Sequence, residues 1–260
     1  MFFNYTQRGN KRNTFIPSLC VIEEQMKELI IISILFAPIL SIAQESVNKE
    51  SKFSVGVNFS PNYSYRTLKY PDNLQSFVDD RERSEHPSFG FNTGIAVQYL
   101  LMKKFEVELG IQFSRQTHMF KEVTVGGTMG NVSMGLADVQ LRYHYIEIPI
   151  LVNYRIVNQK FFGYISAGVS INQFLNDESK AWLTYSNGDN EVVHSESGIL
   201  DFNKTVVGLV GGVGLGYHIS EKLNLRVEPL FRYSLAPLAE APIDQYNYSI
   251  GCQIGMNMKL

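Results

Sequence analysis

The feature that most constrains this chain is its alternation. Past Gln44, apolar and polar residues exchange places with a period of two in eight long segments, with no amphipathic helix between them. "KFSVGVNFS" sets Phe53, Val55, Val57 and Phe59 against Ser54, Gly56, Asn58 and Ser60. "KFEVELGIQFSRQ" sets Phe105, Val107, Leu109, Ile111 and Phe113 against Glu106, Glu108, Gly110 and Gln112. "KTVVGLVGGVGLGYHI" opposes Val207, Leu209, Val213, Leu215 and Tyr217 to a row of glycines, and "YNYSIGCQIGMNMKL" closes the chain in the same rhythm. An even number of such segments without crossovers predicts an antiparallel meander.

Alternation does not say which face is inside. A soluble barrel turns its apolar face inward, and a membrane barrel reverses this. Three features decide for the membrane. The connections alternate between tight turns, at 101–104, 157–160 and 220–222, and long polar segments, at roughly 64–88, 117–137, 175–202 and 236–246. The strands are long, roughly 11–16 residues by pattern, where a tilted span needs about 9–11. The polar face mixes Gly and Ser with charges, which suits a narrow lumen that side chains fill. The expectation for 52–260 is therefore an all-β, eight-stranded antiparallel up-and-down transmembrane β-barrel. Its short turns and both termini are expected in the periplasm, and its long loops outside the cell.

The front of the chain agrees with that destination. In "MKELIIISILFAPILSIAQ", Lys27 precedes an apolar run from Leu29 to Leu40, and Ser41-Ile42-Ala43 supply small residues before Gln44. This is the pattern of a secretory signal peptide at 26–43. The run is shorter than the roughly 20 residues of a transmembrane helix. Residues 1–25 lack periodicity and read as an over-extended start, and 44–51 as a short periplasmic segment. Cys252 is the one cysteine beyond the signal peptide, so no internal disulfide is expected.

The segment "YIEIPILVNYRI" carries the chemistry. From Ile146 to Ile156 the even-numbered residues are apolar or Tyr and suit lipid, which leaves Glu147, Asn153 and Arg155 for the lumen. Before it, Leu141, Tyr143 and Tyr145 read as outward, with Arg142 and His144 inward. The two phases differ by one residue, and Pro149 cannot donate to a ladder, so a β-bulge near 145–149 is expected; the alternative is that the strand leaves the membrane near Tyr145 and both its upper faces are wet. The candidate lumen set is Glu106, Glu108, Glu147, Arg155, Arg226, Glu228 and Arg232. Buried charges need partners, and both signs are present. Counting up from the turns predicts that Glu147 meets Arg232, and that Arg155 meets Glu106 or Glu108 nearer the base, where Arg226 joins them.

"YIEIPILVNYRI" with "KFFGYISAGVSI", "GLVGGVGLGYHISEKLNLRVEPLFRYSL" and "YSIGCQIGMNMKL" resembles the PorT-like outer-membrane β-barrel proteins of the Bacteroidetes type. The resemblance runs from about Lys52 to Leu260. It implies an eight-stranded barrel in the outer membrane. The family's namesake serves a secretion and gliding machine, but the second strand and the loops here do not match it, so that role is not carried over. The resemblance supplies no catalytic motif.

Function classes narrow by exclusion. A formal charge of −2 with no basic patch argues against nucleic acid as a partner. No cofactor motif is present. His118, Asp189, His194, Ser195 and Glu196 are the residues an enzyme would use, yet no nucleophile elbow accompanies them. "DDRERSEH" (79–86) and the acidic stretch 177–201 offer carboxylates for a cation, without an EF-hand pattern. Eight strands leave no open pore once side chains fill the lumen. The remaining expectation is a structural or interaction protein. Its partners would be outer-membrane lipid, lipopolysaccharide and envelope proteins. The alternatives are a surface-loop hydrolase or acyltransferase, and an accessory part of a secretion or gliding machine.

Overall fold

The computed structural model describes residues 52–71, 75–125, 135–158, 160–195, 202–239 and 243–260. The expected over-extended start (1–25), signal peptide (26–43) and most of the periplasmic segment (44–51) lie outside the described residues. So does Glu196.

The strands follow the alternation, and the first five run longer than it predicts, at 17 to 25 residues. They are β1 (Phe53–Lys69), β2 (Glu85–Met102), β3 (Phe105–Val125), β4 (Gly135–Asn158), β5 (Phe161–Tyr185), β6 (Asn190–Ser195), β7 (Thr205–His218), β8 (Leu223–Ser234) and β9 (Asp244–Lys259). Among the described residues there is one helix, α1 (Gln75–Ser84), between β1 and β2. All pairings are antiparallel in one sheet of order β4-β3-β2-β1-β9-β8-β7-β5-β6, and β4 also pairs with β5. That last pairing closes a ring of eight strands. The ninth, β6, lies outside the ring. It is a return strand that takes the upper part of β5, Ser179–Thr184, while β7 takes Phe161–Gln173.

The segments 117–137 and 175–202, expected to be long loops, are thus in large part strand. Their polarity made them read as loops, but above a bilayer the outward face is wet and needs no apolar residues. Backbone groups there are satisfied by the ladder, as in Arg142 opposite Glu178 and Ala181 opposite Val193.

The outward face from the turns upward is apolar. Ile95, Leu109, Ile111, Ile150, Val152, Ile165, Val213, Leu215 and Ile254 are all well exposed. The inward face is polar and closed. Asn58, Ser60, Asn62, Glu106, Glu108, Gln112, Glu147, Asn153, Ser166 and Asn257 are all buried. This inversion of the soluble rule is what a lipid solvent demands.

Three of the four prolines within the named strands show how a closed barrel tolerates a missing N–H. The β3–β4 ladder runs in register from Leu109↔Ile150 to Gln112↔Glu147, with a two-pair gap where Pro149 sits. On its other edge Pro149 pairs normally with Ser170. Pro61 faces a similar gap toward β9, and Pro229 one toward β7. No bulge is needed at Pro149. The irregularity in this region lies between His144 and Tyr145, where Leu175 is an extra residue in β5. The phase of β4 does not slip. Tyr143 and Tyr145 are buried on the same side as Glu147, whereas Arg142 and His144 share the outward side with Ile146, contrary to the sequence reading. Tyrosine suits either face, and above the apolar belt a charge no longer has to point inward.

Candidate functional site

The lumen is built in layers from alternate residues of the ring strands. In the lower layer Arg226 of β8 reaches two carboxylates of β3, with Nη1 at 3.1 Å from Glu106 Oε1 and 3.1 Å from Glu108 Oε2. Arg155 of β4 adds Nη2 at 2.5 Å from Glu106 Oε2. Asn153 Nδ2 donates to both carboxylates at 3.2 and 3.1 Å, and Gln98 Nε2 donates to Glu108 at 3.1 Å. The Arg226 guanidinium lies 4.1 Å from the centre of the Tyr164 ring. Glu228 is held by hydroxyl groups. It accepts from Tyr164 Oη at 3.0 Å and from Ser166 Oγ.

Space for Tyr164 comes from the glycines of β7. A Cβ on Gly214 would stand 2.0 Å from Tyr164 Cζ, and one on Gly216 would strike the Phe162 ring. Any side chain there would displace an aromatic wall of the lumen.

In the next layer Glu147 of β4 and Arg232 of β8 meet across the barrel, Nε to Oε1 at 3.2 Å. Asn92 Nδ2 donates to the other carboxylate oxygen, and Asn62 Nδ2 donates to Asn92 Oδ1 at 2.8 Å. Above this, Asn247 Nδ2 donates to Gln116 Oε1 at 2.8 Å. Two small voids adjoin that bond, bordered by Gln116, Asn172, Ser234 and Asn247. Each is about the size of one water.

At the long-connection end the closure changes character. Tyr143, Tyr145 and Leu238 pack with Leu141, Phe174 and Phe202 on one wall. On the other, Arg66 Nε lies 2.6 Å from Glu85 Oε1, and His118 Nδ1 lies 3.6 Å from the same oxygen. Val78 of α1 is buried with Leu68 and Ile243 above them. Glu85 sits beyond the apolar belt, outside the membrane span. Burial pushes its carboxyl up, but His118 and Arg66 outweigh that and hold it below the usual carboxylate range.

The described residues an enzyme would use, His118, Asp189, His194 and Ser195, do not converge. His118 is buried in the lumen beside Glu85. Asp189 lies in the β5–β6 turn, where Asn187 Nδ2 donates to it at 2.8 Å. His194 and Ser195 are neighbours on one strand, so their side chains leave on opposite faces. Nor do the described His, Cys, Asp and Glu residues gather in a group of three that could hold a metal. In the stretch 79–86, Glu85 is held by Arg66, and His86 Nδ1 bonds the Ser84 carbonyl at 3.0 Å.

Of the neutral members of the lattice, Asn153 is already read into the lumen from sequence, whereas Gln98, Tyr164, Ser166 and Asn92 are absent from the candidate set. Their signal was position: each shares the inward phase with a charged residue. Amides and hydroxyls on that phase are the donors a buried carboxylate requires.

A closed ring of strands with lipid outside and a hydrogen-bonded polar filling inside defines a transmembrane β-barrel. The chain belongs to the outer membrane protein beta-barrel domain family, which it matches over residues 42–240. Among solved structures it is similar to Neisserial surface protein A (NspA), with 12% identity and a TM-score of 0.44, covering 82% of this chain and 100% of that one. OprG from Pseudomonas aeruginosa shows 18% identity and a TM-score of 0.38, covering 80% and 97%. The outer membrane protease OmpT from Escherichia coli shows 8% identity and a TM-score of 0.37, covering 84% and 99%. Likeness this distant carries nothing about activity. No curated protein matches the chain.

Proposed function

We propose that this outer-membrane barrel is a structural and interaction protein. Its lumen is closed by paired charge, and its long-connection end presents a surface to envelope components or external ligands. The observation that carries this reading is the height of one wall. β4 and β5 have 24 and 25 residues, while β8 has 12. Only about 9–11 residues are needed within the bilayer, so the β4–β5–β6 wall is far longer than insertion requires. On this reading both termini and the short turns are periplasmic and the tall wall is outside the cell.

The narrower placement with PorT-like proteins rests on the Glu-Ile-Pro and Glu-Pro-x-x-Arg-Tyr-Ser strands. These supply Glu147, Glu228 and Arg232, three inward residues. Accessory service to a secretion or gliding machine is the second reading that this placement favours.

Capture of partners from detergent-solubilised envelope tests the proposal, comparing the intact chain with a variant lacking residues 179–195. Loss of a partner with heat-modifiable migration intact supports an interaction role for the wall. Loss of a hydrolytic or acyl-transfer activity would favour an enzyme, and capture of secretion components would favour the second reading.

A further inference from the structure

Where the apolar belt ends, the outer wall is not uniform. On β1–β4 a row of rings marks the rim. Phe59 and Phe91 are 6.1 Å apart, Phe91 and Phe113 are 6.0 Å apart, and His144 stacks on Phe113 at 5.6 Å. Arg115 faces outward in register with Phe91 and His144, and its guanidinium lies 4.6 Å from the centre of the Phe91 ring. One step further out on β4 comes Arg142, paired with Thr117 and Glu178. Arg142 is half-buried. Its Nε donates to Gln140 Oε1 at 3.1 Å, and its Nη1 is 3.8 Å from Glu178 Oε2 on a half-exposed side chain. Lys180 follows on β5, over Trp182. On β1, β8 and β9 the rim is aromatic instead, with Tyr63, Tyr65, Tyr233 and Tyr248.

We infer that Arg115 and Arg142 form a site for the phosphate of a phosphorylated glycolipid in the outer leaflet. The inference rests on the orientation proposed above and deepens it by naming a partner for the outer wall. Three physical points carry it. The two arginines are diagonal neighbours on adjacent strands, about 7 Å apart at Cβ, so two long side chains can converge on one phosphate. A guanidinium offers a planar fork that matches phosphate oxygens in pairs, which an ammonium does not. Rings at the rim place these cations at headgroup depth, because an amphipathic side chain keeps its stem on apolar surface and its charge in the polar zone. The Glu178 carboxylate, 3.8 Å from Arg142 on a half-exposed side chain, is a weak competitor for a phosphate.

The test is binding of lipid A, with its phosphates or enzymatically dephosphorylated, to the refolded full barrel in detergent, read by native mass spectrometry. The intact chain should prefer the phosphorylated form. Arg115→Gln and Arg142→Gln should each weaken binding about tenfold, the worth of one charge-assisted hydrogen bond. Lys104→Gln, in a short turn, should leave it unchanged. Excess inorganic phosphate should not displace the lipid. Arg115→Lys and Arg142→Lys keep the charge without the fork and should fall between. They also stand in if a glutamine variant does not fold. Equal binding of both lipid forms, unchanged binding in the arginine variants, or displacement by inorganic phosphate would overturn the site. A heat-modifiable barrel without the preference refutes the site alone. A chain that forms no barrel in liposomes would refute the underlying reading.

Discussion

Glu147 and Arg232 are each needed by the other. Replacing one strands a buried charge, so Glu147→Gln or Arg232→Met should each cost about 3–5 kcal/mol. The double variant should cost less than the sum. Urea unfolding in liposomes measures the cycle, and strictly additive losses would dismiss the coupling. Two glycines make a second comparison. A Cβ on Gly214 meets the Tyr164 ring, whereas one on Gly163 meets only Leu215 Cδ2 at 3.8 Å. Gly214→Ala should therefore lose about 1–3 kcal/mol, with Gly163→Ala near neutral in the same assay. Alternation assigns Glu106, Glu108, Glu147, Arg155, Arg226, Glu228 and Arg232 to one face, and that much is legible. Which carboxylate meets which guanidinium depends on shear and on neutral donors such as Asn153 and Tyr164, which no charge pattern marks. Tyr143 and Tyr145 were read on the wrong face because a ring with a hydroxyl fits lipid rim and lumen alike.

The element that most rewards a test is α1. Its link to the barrel is Glu85, the first residue of β2, facing Arg66 of β1 and His118 of β3. The folded carboxyl is held below its ordinary value of 4.5. The sign follows directly: a depressed folded value gives stability that is present above the unfolded value and lost as pH falls through the folded one. Protection from amide exchange in 75–84, taken relative to the intrinsic rate at each pH, should thus be high at neutral pH and fall as the Glu85 carboxylate is protonated in acid, ahead of the strands of the belt. Glu85→Gln should remove most of that pH dependence. Protection in 75–84 that ignores pH would show that the apolar contact of Val78 with Leu68 and Ile243 holds the helix alone. The helix itself was not legible. Its sequence is mostly polar, with Phe77 and Val78 too few to set a helical apolar pattern, and Val78 docks it.

For the whole molecule, the prediction is sidedness. In a Cys252→Ser background, Asn187→Cys should react with an impermeant thiol reagent on intact cells, and Ser220→Cys should react only after lysis. The reverse would invert the proposed orientation. In planar bilayers the intact barrel should show no steady conductance, while Arg226→Ala, which removes the side chain shared by Glu106, Glu108 and Tyr164, should admit flickering current.

At the tip of the tall wall, the β5–β6 turn holds Gly188 at a φ of +87°, with nothing within 4 Å of where its Cβ would be. Chain can be added between Asn187 and Asp189 without disturbing the ladder below. A foreign peptide spliced there would ride on two hydrogen-bonded strands, held stiffly away from the bilayer. The barrel is therefore a ready carrier for epitopes or affinity tags, and its insertion machinery need not notice the cargo.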